Sequence, residues 1–177
     1  MERIERIRKH PLFRSCMEQI ELAEQTRIYC KHTIEHALDV ARIAYIRNLE
    51  DGKPLEQDIV YAMALLHDIG RCREYQTGES HHSAGKQLAE SILQECGFSE
   101  TEISCIIQAI AAHKHGDWDS SNKADKDKIG LNKSDKTVDC CKKLLYEADK
   151  LSRNCYCCKA RETCYWTEEI RNHSIRY

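Results

Sequence analysis

Residues 59–69 read IVYAMALLHDI, and Ile59, Ala62, Met63, Leu65, Leu66 and Ile69 spread around most of a helix circumference. A helix that is apolar all round must be buried on every side. In a chain of 177 residues, long enough for one sizeable core, this predicts a central helix wrapped by others. That helix ends on two adjacent ionisable groups, His67 and Asp68, just before Gly70. An unpartnered charge buried in such a place costs roughly several kcal/mol. Either the pair faces water, or a positive charge lies beside the carboxylate.

The flanking sequence supplies the wrapping. No alternating run supports a sheet, and the pattern predicts an all-α bundle of about six helices with a short Cys-rich C-terminal tail. The first helix is expected over residues 11–28, opening on Pro11. The second spans 31–49, with Ile34, Leu38, Ala41 and Tyr45 at helical spacing and Asp51-Gly52 as its stop. The central helix covers 55–69, and Gly70 is placed to end it as a left-handed cap. A fourth covers 83–96 and closes on Gly97. Ser99 and Glu102 form a capping-box pattern opening a fifth, which carries Ile103, Ile106, Ile107 and Ile110 and ends near His113. Residues 116–137 are polar and charged, the expectation for a loop or lid with Trp118 as its anchor. A sixth helix spans 138–153. Residues 1–153 are thus expected as one helical domain, with 154–177 a tail packing on it.

Composition narrows the function classes. A formal charge of -2 carries no basic signature, so no long nucleic acid is expected as a partner. No apolar run approaches the roughly 20 residues that span a bilayer. The charged N-terminal stretch MERIERIRKH lacks the apolar centre of a secretory signal, so a cytoplasmic location is expected. Eleven cysteines in such a chain read as reduced thiols, some of them candidate metal ligands.

Histidine and aspartate cluster around the predicted helix ends. His36 lies on the second helix and His67-Asp68 at the end of the third. His81 and His82 precede the fourth, His113 and His115 close the fifth, and Asp149 sits on the sixth. Neutral imidazoles and carboxylates suit Zn, Fe, Mn or Mg, and a dication would compensate the buried carboxylates.

The ordered segments EHALDVARIA, ALLHDIGR, HHSAGKQLAESIL, AIAAH and EADKLS resemble the HD-domain family of metal-dependent phosphohydrolases, over residues 31–153. The resemblance implies an all-α bundle and a metal held by His36, His67, Asp68 and Asp149. Val40-Ala41 stand at the family spacing from His36; His32, one turn earlier, is a residue that would orient the site. Relatives with a second metal use further histidines, here His81 or His82, and His113, with Asp68 as the bridge. The family spacing to Gly85 favours His81 over His82. The resemblance implies one or two divalent metals (Fe, Mn, Zn, Mg or Ni), with Asp68 and His67 at the reacting centre. It also implies hydrolysis of a phosphate ester or phosphoanhydride in a small substrate, a nucleotide being the expectation. Arg71, Lys114, Lys150 and Arg153 are candidate phosphate-holding residues, and His115 is a neighbour of the substrate. Asp39 stands where the family often has Arg, and Arg71 where Lys often follows. No Gly-Tyr-Pro motif follows the doublet, which argues against the cyclic-dinucleotide phosphodiesterase branch. Two readings without catalysis stand beside this one: a nucleotide-sensing or regulatory module, and a metal or redox sensor built on the tail. A homodimer is also compatible.

The tail raises a separate question. CYCCKARETC places Cys155, Cys158 and Cys164 at chelating spacing, and Cys30 is a candidate fourth ligand for structural Zn or an Fe-S cluster. Cys30 precedes His36 by six residues and Cys155 follows Asp149 by six, so antiparallel packing of the two helices would bring them together. The alternative is a set of free thiols packing under Trp166.

Overall fold

A computed structural model describes residues 1–52, 55–113 and 133–177, with the side chains of 133–135 excepted. Among the described residues the chain forms eight α-helices and three single-turn 3-10 segments, with no strand. The helices are α1 (Glu2–Lys9), α2 (Pro11–Ala23), α3 (Ile34–Glu50), α4 (Gln57–Leu66), α5 (Arg71–Thr77), α6 (His81–Glu95), α7 (Glu100–Ala112) and α8 (Lys133–Leu151). The all-α expectation holds.

Helix α4 is the central element. Val60, Ala62, Met63, Ala64, Leu65 and Leu66 are all buried, and α4 packs against α1, α3, α7 and α8. Small residues at 62 and 64 let neighbouring helices approach, and Ile106, Ile110, Leu144 and Leu145 fill the space from α7 and α8. The capping box forms as expected: Glu102 N–H donates to Ser99 Oγ at 3.4 Å, and Ser99 N–H donates to Glu102 Oε2 at 2.7 Å.

Several expectations are corrected. Two helices beyond the expected six are present. Helix α1 is short and highly charged, and its signal is only Ile4 and Ile7, three apart and both buried. Arg3 fastens it, donating to Asp58 and Glu102 while lying over the Phe98 ring. Helix α5 escapes the periodicity because only Cys72 of its seven residues is buried. Helix α2 stops at Ala23 rather than near residue 28, because Glu24 turns inward with its side chain 1% exposed. Helix α3 begins at Ile34, three residues late.

Gly70 is not a left-handed cap. Its φ is -65° and ψ -15°, and it is the N-cap of α5. A glycine is required there for a different reason: a Cβ would lie 1.9 Å from the His81 carbonyl oxygen and 2.5 Å from Gly85 N. The backbone of α6 rests directly on residue 70. His81 and His82 lie in the first turn of α6 rather than before it. Helix α8 begins at Lys133, so the end of the expected polar loop is helical. Lys114, His115 and Trp118 lie outside the described residues.

Candidate metal centre

The turn that follows α4 delivers the His-Asp doublet. Ile69 N–H donates to Leu66 O and Arg71 N–H to Asp68 O, which keeps Ile69 in the core and aims His67 and Asp68 inward. Helix α3 contributes His36, α6 contributes His81 and His82, α7 ends at His113, and α8 carries Asp149. Two groups result. The ligand atoms of His36, His67 and Asp149 lie within 4.8 Å of one another, as do those of His81, His82 and His113. Asp68 stands between them: Oδ2 is 2.8 Å from His67 Nε2 and 3.8 Å from His36 Nε2, while Oδ1 is 3.9 Å from His113 Nε2. Asp149 Oδ1 lies 3.5 Å from His36 Nε2 and 3.9 Å from His67 Nε2.

The hydrogen bonds set the imidazole tautomers. His67 Nδ1 lies 2.7 Å from Ala64 O and His113 Nδ1 2.5 Å from Ile110 O. A carbonyl only accepts, so each Nδ1 carries the proton and each Nε2 keeps a lone pair. His81 Nδ1 faces the Glu74 carboxylate at 2.8 Å, and His36 Nδ1 faces Ser152 Oγ at 3.4 Å. Ser152 itself donates to Asp149 O, so its oxygen is left to accept from His36. In its neutral form each of the four imidazoles thus presents Nε2 to a divalent ion, which would displace the proton His67 otherwise holds there. His36 Nε2 and His67 Nε2 are buried and face the carboxylates of Asp68 and Asp149 in ion-pair contact rather than in hydrogen-bond geometry. Two imidazole nitrogens and two carboxylates turned to one point fit a bound cation.

The electrostatics agree. Burial opposes a charge on His67, but Asp68 and Asp149 outweigh it and push the imidazole up to about 8. Burial likewise opposes charge on Asp68, but His67 and then Arg71 hold its carboxyl well below the ordinary range. Asp149 behaves in the same way: burial is outweighed by His36, Arg153 and Lys150. The field at this point favours positive charge. At the second group, burial and then the nearby His67 push His113 down to about 3. Burial also lowers His81, against the pull of Glu74. Both stay neutral near pH 7.

A cavity of about 720 Å³ opens over the centre. Arg71, Lys150 and Arg153 line it, with Trp166 and Tyr165 from the tail. Each cation is engaged with a carboxylate: Arg71 Nε donates to Asp68 Oδ1 at 2.7 Å, and Lys150 and Arg153 reach Asp149 Oδ2 at 2.6 and 3.1 Å. Each aspartate therefore directs its other oxygen at the first group of imidazoles.

Sequence reasoning brought His36, His67, Asp68, His81, His113 and Asp149 forward, and all meet here. His82 joins His81 rather than yielding to it, with its ring centroid 4.8 Å from that of His113. The orienting residues Glu24, Glu74, Tyr75 and Ser152 were not found. Glu24 accepts from Tyr75 Oη and from the His32 backbone, and it holds His32 Nδ1 at 2.5 Å. This aims His32 Nε2 at Asp68, 3.9 Å away. Their only signal is a carboxylate or hydroxyl beside a turn, which is shared by many surface residues.

Fold and site together define an all-helical domain with a two-part His/Asp centre. A model of the HD domain matches residues 33–154, and the chain belongs to the HD-domain family. An uncharacterized protein of Clostridium beijerinckii is 37% identical over 87% of this chain and 85% of its own length. Ribonuclease Y 1 of Pediococcus pentosaceus is 31% identical over 50% of this chain, a stretch that is 15% of that relative. The crystal structure of a predicted HD superfamily hydrolase from an uncultured Thermotogales bacterium superposes with a TM-score of 0.55. It is 26% identical, and the match covers 91% of this chain and 82% of the other.

Proposed function

We propose that this protein is a metal-dependent phosphohydrolase that removes or transfers to water a phosphate of a small substrate, a nucleotide being the class best suited. The observation that carries this reading is Asp68, shared by two histidine groups at the base of a cavity lined by Arg71, Lys150 and Arg153. His36, His67, Asp68 and Asp149 would hold one divalent metal, and Asp68, His113 and His81 or His82 a second. When bound, such ions (Fe, Mn, Zn, Mg or Ni) supply Lewis acidity and lower the pKa of coordinated water. The chain's own contribution is placement. The four Nδ1 bonds fix the imidazoles, and the three cations hold the carboxylates while keeping positive charge along the wall where phosphate oxygens would rest. Tyr165 and Trp166 give that wall an apolar side.

The similarity to ribonuclease Y favours a second reading of the same centre, cleavage of a phosphodiester in RNA. Neither the formal charge of -2 nor the small cavity suits a long polyanion.

The test is metal analysis of protein purified without added metal, with phosphate release measured over a nucleotide panel and an RNA oligonucleotide. Release from nucleotides that chelator stops, and that Asp68→Ala lowers by about 10²-fold or more, supports the proposal. Turnover that survives Asp68→Ala overturns it, and cleavage of RNA alone selects the second reading.

A further inference from the structure

The tail after α8 is ordered against poor odds. Its regular structure is three single turns, Cys155–Cys157, Arg161–Thr163 and Glu168–Ile170, and Ala160 is its one buried apolar residue. A segment with so little apolar burial needs another source of order. Hydrogen bonds supply part of it. Asn172 donates to three carbonyls at the end of α8, Arg171 donates to Cys164 O, and Tyr29 donates to Thr163 O from the loop between α2 and α3.

Between that loop and the tail lies a second cavity, of about 380 Å³. Its wall includes Cys30 from the loop and Cys155, Cys157, Cys158 and Cys164 from the tail, all free thiols; of the tail thiols, Cys157 is exposed and its Sγ is turned to Asn154 O, 3.5 Å away. Helices α3 and α8 pack together, and this brings Cys30 to residues more than a hundred positions away. We propose that Cys30, Cys155, Cys158 and Cys164 form a tetrathiolate site for a thiophilic metal, separate from the His/Asp centre, that fastens the tail to the loop.

Free thiols from two distant segments converge on one cavity, and no three of these sulfurs lie within the 4.8 Å that separates the grouped His and Asp ligand atoms. A single zinc would draw them in to Zn–S distances of about 2.3 Å, whereas an iron-sulfur cluster would span the wider arrangement. Cys30 and Cys164 line both cavities, so the metal would hold the wall on which Tyr165 and Trp166 stand.

The reduced full-length chain is titrated with Co²⁺ and read by absorption, alongside zinc, iron and acid-labile sulfide analysis of the protein as purified. A thiolate-to-cobalt charge-transfer band distinguishes thiolate ligation from the His/Asp groups, which hold no thiolate, and the Cys→Ser variants assign it to this site. The wild type is expected to show that band with zinc as purified, or iron with labile sulfide, which separates the two occupants. Cys30→Ser and Cys158→Ser are expected to lose the signal, while Cys157→Ser keeps it. A wild type with neither signal, or a signal unchanged in both Cys30→Ser and Cys158→Ser, overturns the proposal. The wild-type measurement decides the matter even where a variant fails to fold.

Discussion

Gly70 shows how a single position can hold a site together without touching a ligand. The α6 backbone sits where a Cβ would be, so even one added methyl must push α6 away. Overpacking of this kind costs about 1–3 kcal/mol or more. Gly70→Ala is expected to lower the unfolding free energy by such an amount, read from urea titration, and to lose metal from the His81–His82–His113 side first. Unchanged stability and full metal content would show that α6 adjusts freely. Glu24 is a second such position. Burial works against its charge, but the bonds from His32 and Tyr75 prevail and hold its carboxyl at about 2, below the ordinary 4.5. A depressed carboxylate stabilises the fold above its unfolded pKa and loses that contribution as pH falls through the folded value. Glu24→Gln should therefore be less stable than the wild type at pH 6, with the gap shrinking between pH 4.5 and about 2. Urea titrations across that range measure it, and a gap independent of pH refutes the assignment.

Helix ends do much of the positioning at the next scale. The Ser99–Glu102 box starts α7, the helix that ends at His113; Ser99→Ala is expected to cost about 1 kcal/mol. At the far end of α8, one Asn172 amide serves the carbonyls of Lys150, Leu151 and Arg153 at 2.8, 3.3 and 2.7 Å. This caps the last turn of the helix that carries Asp149. Asn172→Ala should cost about 1 kcal/mol and make the tail cleave faster under limited proteolysis, while Cys157→Ser should not. Equal cleavage rates would mean that the cap does not hold the tail. These elements were unevenly legible. Helices with an apolar stripe, such as α3 and α7, or apolar all round, as α4 is, announce themselves by spacing. Helices α1 and α5 are short, bury one or two side chains each, and owe their form to neighbours.

For the whole molecule, the bundle brings His and Asp side chains from α3, the turn after α4, α6, α7 and α8 to one point, and an ion bound there would stabilise the folded chain. At a free metal concentration a hundredfold above Kd, each site contributes about 2.7 kcal/mol. Chelation should lower the melting temperature of the wild type and leave that of His36→Ala closer to its metal-loaded value. A melting temperature indifferent to chelator in both proteins argues against a bound ion at the His/Asp centre. Among the described residues no helix is long and apolar enough to cross a membrane.

What the sequence determined by itself was the central helix, its doublet, and the order of the histidines and aspartates around it. Those follow from spacing along one chain, and spacing is local. The tertiary structure alone decided that His82 stands with His81. It also decided that Gly70 serves packing rather than handedness and that Glu24 and Glu74 aim two imidazoles. Each depends on which surfaces of distant segments are pressed together, and a pattern read along the chain contains no measure of that distance.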